Sequence, residues 1–264
     1  MLSILGFIVQ NVYSQKFYFS LSPGYNFNFK PLSSWYPEWY NYSSDGTSEK
    51  YEQKHHTLGK GFTVSSAIGH WFSEHIATEL EFLYKFEDKT KTKYQSPDLS
   101  LNATLSTMMY SIMPTFVLAS GEENIKVYTK VAPMISFSKL KQDSRTEDTL
   151  GLELKTIEFY GAASLGIMTK VGIKYKTTEK LSLFAEVGMM NLSYSPKRAK
   201  IIKDTYNGVD ILPYLPTSQK EVEFVDAYTY DSNNVDSNKP AQSLKQSHSF
   251  SSVGINVGIV YTIK

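Results

Sequence analysis

The last thirteen residues of the chain, 252–264, read S-V-G-I-N-V-G-I-V-Y-T-I-K. Small or polar residues alternate with an apolar set, and only Val260 breaks the pattern. The apolar set is Val253, Ile255, Val257, Ile259, Tyr261 and Ile263. A period of two predicts a β-strand with two chemically different faces. The apolar face must meet either a protein core or lipid, and the rest of the chain decides which.

Seven further segments show the same alternation. They are residues 16–29, 61–72, 77–87, 105–119, 125–139, 156–176 and 181–196. Tyr, Phe and Trp make up 14% of the chain, which also favours β structure because aromatic side chains are enriched in strands. The sequence therefore predicts an all-β fold with eight strands. Part of the last loop, 221–230, is expected to join the sheet at its rim.

The connections between these strands alternate between short and long. The short ones are 73–76, 120–124 and 177–180, and the long ones are 30–60, 88–104, 140–155 and 197–246. Short turns at one end and long loops at the other are typical of outer-membrane barrels. We expect an eight-stranded antiparallel up-and-down transmembrane β-barrel with extracellular long loops. Both termini then lie on the periplasmic side of the outer membrane of a Gram-negative bacterium.

Eight charged residues lie on the minority faces of the strands. They are Glu79, Glu81, Lys126, Lys130, Glu158, Lys170, Lys174 and Glu186. In a soluble barrel of the lipocalin kind these side chains face water. In a membrane barrel they face a narrow lumen, where four acids and four bases can pair as buried charges require. The long strands and loops favour the membrane alternative.

Three prolines, Pro23, Pro114 and Pro133, fall inside predicted strands. Proline has no N–H for the ladder, and a closed sheet has no edge to accommodate it. We expect a β-bulge at each.

The first residues contain a short apolar run, 2–9, followed by Val12 and Ser14. Small residues at these two positions fit a signal-peptidase site, although a basic start is missing. Residues 1–14 are therefore expected to be a truncated signal peptide and 15–264 a single barrel domain. The apolar run is too short to cross a bilayer as a helix.

Composition narrows the range of functions. The chain has no cysteine, which excludes disulfides and thiolate metal sites. Its formal net charge of +1 gives no electrostatic reason to bind nucleic acid. We expect no cofactor and no metal.

The segment G-I-K-Y-K-T-T-E-K-L-S-L-F-A-E-V, residues 172–187, resembles the penultimate hairpin of small OmpA/OmpX-like outer-membrane β-barrel proteins, particularly those of Bacteroidota. The resemblance is specific over this hairpin and weak over the rest of the chain. We expect a barrel without a peptidoglycan-binding domain. The resemblance implies insertion by the barrel assembly machinery, contact with outer-membrane lipid and lipopolysaccharide, and no fixed biochemical activity.

Aromatic residues are frequent in the first long loop, at Trp35, Tyr36, Trp39, Tyr40 and Tyr42. Exposed aromatic side chains make good recognition surfaces, although they could equally pack on one another and cap the barrel. We expect them to form a partner-binding loop for other outer-membrane or surface proteins. In the third loop, Asp148-Thr149-Leu150 matches a short O-glycosylation acceptor, with Thr149 as the modified residue.

Two histidine motifs are candidates for chemistry. His55-His56 lacks a clear third metal ligand and is expected to be solvated. His248-Ser249 lies near the outer end of the last strand, where a Ser–His pair could support acyl hydrolysis of lipid A. Because neighbours on a strand point to opposite faces, we expect no enzyme. The main prediction is a surface-interaction, accessory or envelope-structural role, and the alternative is a narrow ion or solute channel.

Overall fold

The computed structural model describes residues 16–28, 40–44, 47–53, 57–121, 124–229 and 236–263. Within these ranges the chain forms one sheet of sixteen strands. Their bounds are β1 Lys16–Asn28, β2 Tyr40–Ser44, β3 Glu49–Gln53, β4 Gly61–Trp71, β5 Ile76–Ser96, β6 Leu99–Gly121, β7 Ile125–Asp148, β8 Leu152–Tyr160, β9 Ala163–Lys176, β10 Leu181–Tyr194, β11 Arg198–Tyr206, β12 Val209–Asp210, β13 Glu221–Val225, β14 Ala241–Leu244, β15 His248–Ser249 and β16 Ser252–Ile263. A 3-10 helix, Leu212–Tyr214, and a one-turn helix, α1 Thr217–Lys220, precede β13.

No helix in the described ranges is long and apolar enough to cross a membrane. The expected signal peptide, 1–14, lies outside the described residues.

Antiparallel pairing runs from β1 through β4, β5, β6, β7, β9, β10 and β16 and returns to β1. These strands therefore form a closed ring, in which none has a free edge. The prediction of an all-β, antiparallel-rich sheet is confirmed. As expected, β16 pairs with the first strand on one side, where Phe17 is opposite Ile263, and with β10 on the other, where Ala185 is opposite Val257.

Side chains alternate between the two faces of the ring. In β16, Asn256 is 8% exposed, whereas Ile255 and Val257 are 51% and 55% exposed. Val260, which breaks the sequence pattern, points inward and is buried. The outward apolar side chains form what we call the apolar belt, with members on every ring strand, among them Phe19, Ile68, Leu80, Ile112, Val131, Val171, Val187 and Val257.

The three prolines cause no β-bulge, so that expectation is wrong. All three lie on the exposed outer face, and the pairing register continues unchanged on both sides of each. Pro114 and Pro133 lie directly opposite each other, so both missing donors fall in a single gap between β6 and β7. Their other pairings, Pro114 with Leu80 and Pro133 with Ile167, are complete.

Two of the predicted long loops are strand extensions. The residues of loop 88–104 continue β5 to Ser96 and begin β6 at Leu99, and those of loop 140–155 extend β7 and form much of β8. The strand extensions 88–96 and 141–148 are hard to find from the sequence because both of their faces are polar. The start of β6 does carry the apolar alternation, at Leu99, Leu101, Ala103 and Leu105, and was overlooked. A register shift between Lys85 and Asp88 marks where β5 leaves the ring.

The predicted sixth strand, 156–176, is two strands. β8 pairs with the part of β7 that extends beyond the ring, and β9 pairs with the part of β7 that belongs to the ring. The break between β8 and β9 contains Gly161 in a left-handed conformation (φ 92°). This break redirects the chain, so residues before and after it belong to different parts of the sheet.

The parts of the sheet beyond the ring form what we call the rim sheet. It comprises residues 88–96 of β5, 99–107 of β6 and 140–148 of β7, followed by β8, β11, β12, β13 and β14. The predicted fourth loop, 197–246, thus contains strands, and β13 confirms the expectation that residues near 221 join the sheet. β2 lies at the other margin, beside β5, and β3 pairs with it.

The two ends of the ring differ in their connections. The turn end carries the short connections near residues 73–75 and 177–180 and the described ends of the chain at Lys16 and Ile263. The opposite end carries the rim sheet. The two ends therefore differ in kind, because one carries short turns and the other a large sheet.

Candidate functional site

Five charged side chains fill the middle of the lumen, and we call them the charge cluster: Glu79, Glu81, Lys130, Lys170 and Glu186. Lys170 Nζ lies 2.5 Å from Glu81 Oε1 and 2.9 Å from Glu186 Oε1. Lys130 Nζ lies 2.9 Å from Glu79 Oε2 and 3.7 Å from Glu186 Oε2. None is more than 7% exposed. The structure therefore brings five of the eight predicted lumen charges into one network.

Two tyrosines complete this network. Tyr18 donates a hydrogen bond of 2.6 Å to Glu79 Oε1, and Tyr128 donates one of 3.0 Å to Glu186 Oε2. The cluster has three carboxylates but only two lysines, so it needs additional hydrogen-bond donors. The two tyrosine hydroxyls supply them, as buried carboxylates require. Neither tyrosine was predicted as a lumen residue, because only charged residues on the inner faces were selected as candidates. Both tyrosines have even residue numbers on strands whose outward apolar residues have odd numbers. This parity could have placed them on the inner face.

Three of the aromatic rings in the lower lumen lie against a glycine directly opposite on the next strand. Tyr18 is opposite Gly69, Tyr128 is opposite Gly172, and Phe184 is opposite Gly258. A Cβ added at Gly172 would lie 2.5 Å from the Tyr128 ring. Glycine here provides space for a close approach, as it often does inside strands.

Replacing Gly172 with Val is expected to destabilise the folded barrel by about 1–3 kcal/mol, the usual cost of overpacking. The methyl groups would displace the Tyr128 ring and weaken its bond to Glu186. A matched control is Gly208→Val, in a turn where an added Cβ meets nothing within 4 Å although φ is 82°. Urea unfolding in lipid vesicles measures both. No loss of stability in the Gly172→Val variant would contradict the packing argument, because Gly172 has no positive φ and crowding is the only cost expected there.

Apolar layers lie above and below the charge cluster. The upper layer includes Met109, Met113, Met134, Met190 and Phe250, all at most 1% exposed. The lower layer contains Tyr18, Val117, Tyr128, Phe184 and Val260, with Trp71 packed against it. Together with the charge cluster, these layers fill the lumen with packed side chains.

Three predicted lumen charges lie elsewhere. Glu158 is on β8 of the rim sheet, where it pairs with half-exposed Lys139 at 3.0 Å, so the prediction that it faces the lumen is wrong. Lys126 and Lys174 face inward but lie at the turn end, away from the charge cluster. Lys85 was missed: it is fully buried near the upper layer, where its Nζ donates to Thr107 Oγ1 at 3.0 Å.

Only part of the predicted partner-binding loop can be placed. Trp35, Tyr36 and Trp39 lie outside the described residues, and Tyr40 is placed only by its backbone in β2. Tyr42 is 8% exposed and stacks on Tyr94 with ring centroids 4.5 Å apart. Tyr42 therefore anchors β2 to β5 rather than presenting a free aromatic surface.

Two neighbouring turns form the tip of the rim sheet. In the β7–β8 turn, Asp148 Oδ1 accepts hydrogen bonds from the N–H groups of Leu150 and Gly151. In the next turn, Asn207 Oδ1 accepts one from Leu152 N–H at 2.8 Å, which ties the two turns together. Leu150 is 79% exposed. Thr149 is exposed beside it, and its O-glycosylation stays a prediction.

An ion-pair network stabilises the interior of the rim sheet. Asp204 is buried, and Lys155 Nζ lies 3.4 Å from its Oδ2 and 2.5 Å from Glu153 Oε1. Burial raises the pKa of the Asp204 carboxyl above its usual value, although Lys155 acts in the opposite direction. This network joins β8 to β11 and gives the rim a fixed shape.

The structure gives no geometry for Ser–His chemistry at His248 and Ser249. They are neighbours in β15, opposite Tyr194 and Ser193 of β10. Burial lowers the pKa of His248 to about 4, and its ring lies 6.4 Å from that of Phe159. Ser249 Oγ accepts a hydrogen bond from Ser251 N–H. His55 and His56 lie outside the described residues, within which no three potential metal ligands cluster.

No family model matches the chain, and no curated protein does. Among solved structures, Neisserial surface protein A is similar over 94% of this chain and 97% of its own, with 10% identity and a TM-score of 0.38. A major outer membrane protein from Thermus thermophilus is similar over 94% and 99%, with 12% identity and a TM-score of 0.37. The attachment invasion locus protein of Yersinia pestis is similar over 94% and 97%, with 7% identity and a TM-score of 0.30.

At these identities and scores, the assignment of a barrel rests on the closed ring of strand pairings rather than on the similarity.

Proposed function

We propose that this protein is a non-enzymatic outer-membrane β-barrel that binds a partner through its rim sheet, as a surface-interaction or accessory protein. The observation that carries the proposal is the contrast between a filled lumen and a large sheet that rises beyond the apolar belt. A filled lumen offers no path for solutes. The rim sheet then offers an extended polar surface on which a partner could bind.

The apolar belt supports the membrane location. Its side chains are exposed on every strand of the ring, for example Ile68 at 58% and Val131 at 49%. A patch that encircles the molecule far exceeds the few hundred Å² that soluble monomers usually expose. Lipid can cover such an apolar surface. Because the strands pair in a closed ring, their backbone N–H and C=O groups are hydrogen-bonded to one another and need no partner from the lipid. With the turn end in the periplasm, the rim sheet faces outward among lipopolysaccharide.

The tip of the rim sheet carries the apolar groups that a partner would bury. Leu150 is 79% exposed and Val209 63%, and Tyr214, in the 3-10 helix that follows β12, is 83% exposed. Charged side chains surround them, including Arg145, Glu147 and Asp210. A small apolar centre with a polar border is the usual composition of a protein–protein interface. The proposed partners are other outer-membrane or surface proteins.

The proposal is tested by co-purification after mild detergent extraction. Leu150→Ser with Val209→Ser should remove at least one protein that the parent retains, because both changes take apolar area from the tip. Lys180→Ser at the turn end is the control and should retain all partners. If the variant with both Leu150→Ser and Val209→Ser co-purifies the same proteins as the parent, the tip is not the binding surface.

The filled lumen also makes a prediction about conductance. We expect no steady current across a planar bilayer that contains the purified barrel, because the charge cluster and the apolar layers leave no continuous water path. The control is a barrel of known conductance inserted under the same conditions. A steady conductance that disappears on changing Lys130 or Glu79 would instead favour the channel alternative.

A further inference from the structure

Two pairs of lysines lie directly opposite each other on the inner face of β7 and β9. Lys130 is opposite Lys170, and closer to the turn end Lys126 is opposite Lys174. Like charges placed directly opposite on antiparallel strands repel each other and destabilise the pair. Each pair therefore needs negative charge nearby.

The first pair has that charge. Lys130 and Lys170 contact Glu79, Glu81 and Glu186 at distances between 2.5 and 3.7 Å. Three carboxylates thus neutralise two ammonium groups, and the pair is buried without an uncompensated cation.

The second pair, Lys126 and Lys174, contacts no such carboxylates among the described residues. Lys126 Nζ donates to the backbone oxygen of Glu74 at 2.9 Å. Both ammonium groups lie over the same indole, at 5.6 Å from the Trp71 ring centroid for Lys126 and 4.6 Å for Lys174. In the part of the chain that the structure describes, which leaves out turn residues 122–123, neither lysine forms an ion pair with a carboxylate.

A small cavity adjoins Lys174 of this second pair. Its volume is about 20 Å³, and its lining includes Trp71, Lys174, Lys130 and Tyr128. That volume holds one water-sized group, so it would take a single oxygen of a larger oxyanion whose remainder lies towards the open turn end. The nearest carboxylate in the lining, Glu79, is already engaged by Lys130 and Tyr18. Lys126 and Lys174 are only half-buried, so they are accessible from the turn end.

We propose that the turn end of the lumen is a binding site for a small oxyanion, a phosphate or carboxylate group, held between Lys126 and Lys174 beside Trp71. Such a group supplies the negative charge that this lysine pair lacks among the described residues, through charge-assisted hydrogen bonds from two ammonium groups. The site lies at the end opposite the rim sheet, so it is a second site, independent of the partner-binding proposal.

Trp71 is a built-in reporter for the experiment. The chain has three tryptophans, so replacing Trp35 and Trp39 with Phe leaves Trp71 as the only indole that fluoresces. Inorganic phosphate is added to the folded barrel in uncharged detergent, with chloride adjusted to keep ionic strength constant. We expect a saturable fluorescence change. Acetate in a second titration shows whether a carboxylate is bound as well as, or in preference to, phosphate.

Substitutions then test the two lysines. Lys174→Gln should weaken the apparent affinity at least about tenfold, as expected for losing a charge-assisted contact, and Lys126→Gln with Lys174→Gln should abolish the response. Lys180→Gln, an exposed lysine in a turn at the same end, should behave as the parent. Phosphate should also raise the urea midpoint of the parent but not that of Lys174→Gln.

Each variant must first show the heat-modifiable gel mobility of a folded barrel. Folding is expected, because removing one of two opposed like charges relieves repulsion. No saturable response to either phosphate or acetate in the parent would overturn the proposal. So would an unchanged affinity in a folded Lys174→Gln barrel. Neither result bears on partner binding at the rim.

Discussion

Replacing Lys170 with Met is expected to destabilise the folded barrel by about 3–5 kcal/mol, the cost of breaking a buried ion pair from one side. Lys170 Nζ contacts both Glu81 and Glu186, and all three side chains are at most 3% exposed. Without the ammonium group, Glu81 has no other ion-pair partner among the described residues. The penalty comes from a carboxylate that stays buried and uncompensated.

Urea unfolding in lipid vesicles measures this loss, and two variants separate its causes. Lys139→Met removes a lysine from a half-exposed pair with Glu158, which should cost only about 0–1 kcal/mol. Lys170→Met combined with Glu81→Met should recover most of the stability, because Glu186 still has Lys130 and Tyr128. If the double variant is as unstable as the single one, lost packing rather than buried charge explains the effect.

Replacing Val257 with Arg is expected to cost about 2–4 kcal/mol, the penalty for a guanidinium group at the middle of a bilayer. Val257 lies on the outer face of β16 and is 55% exposed in the absence of lipid. The same substitution at Val209, which is 63% exposed on the rim sheet, should change stability by no more than about 0.5 kcal/mol because water surrounds it.

The comparison requires folding into lipid, since detergent conceals much of the membrane penalty. The fraction of heat-modifiable barrel and its urea midpoint give the result. Equal effects at Val257 and Val209 would mean that the apolar belt does not face lipid. Asn256→Arg, on the inner face, is a further check: if it damages folding more than Val257→Arg, the packed lumen is the stronger constraint.

The sequence predicted the strands of the ring well because one face of each is apolar. Val257 and Asn256 could be placed on opposite faces from alternation alone, and their exposure agrees. The same signal failed at residues 88–96, where Lys and Thr alternate and neither face is apolar. A strand whose two faces both meet water has no hydrophobic period, so its existence depends on pairing partners that local sequence does not reveal.

The sequence indicated which types of side chain face the lumen, but not which of them contact one another. Charged residues at inner positions, such as Glu81 and Lys170, were identified, but which charges meet depends on the stagger of strands around the ring. That stagger brings Lys170 to Glu81 on a distant strand and leaves Lys174 beside Trp71. The contribution of Tyr128 was invisible because it depends on Gly172, on another strand, for its space.

The length of β5, β6 and β7 determines how far the rim tip stands from the lipid. Nine residues of β5, from Asp88 to Ser96, extend past the register shift at the ring, which is about 30 Å along the strand at roughly 3.3 Å per residue. The lipid headgroup layer on one side of a bilayer is only about 5–8 Å thick. Leu150 and Val209 therefore project well clear of the headgroups even if the strands tilt. In the proposed orientation, with the rim sheet outward, a partner would meet this tip above the lipid headgroups rather than at the bilayer surface.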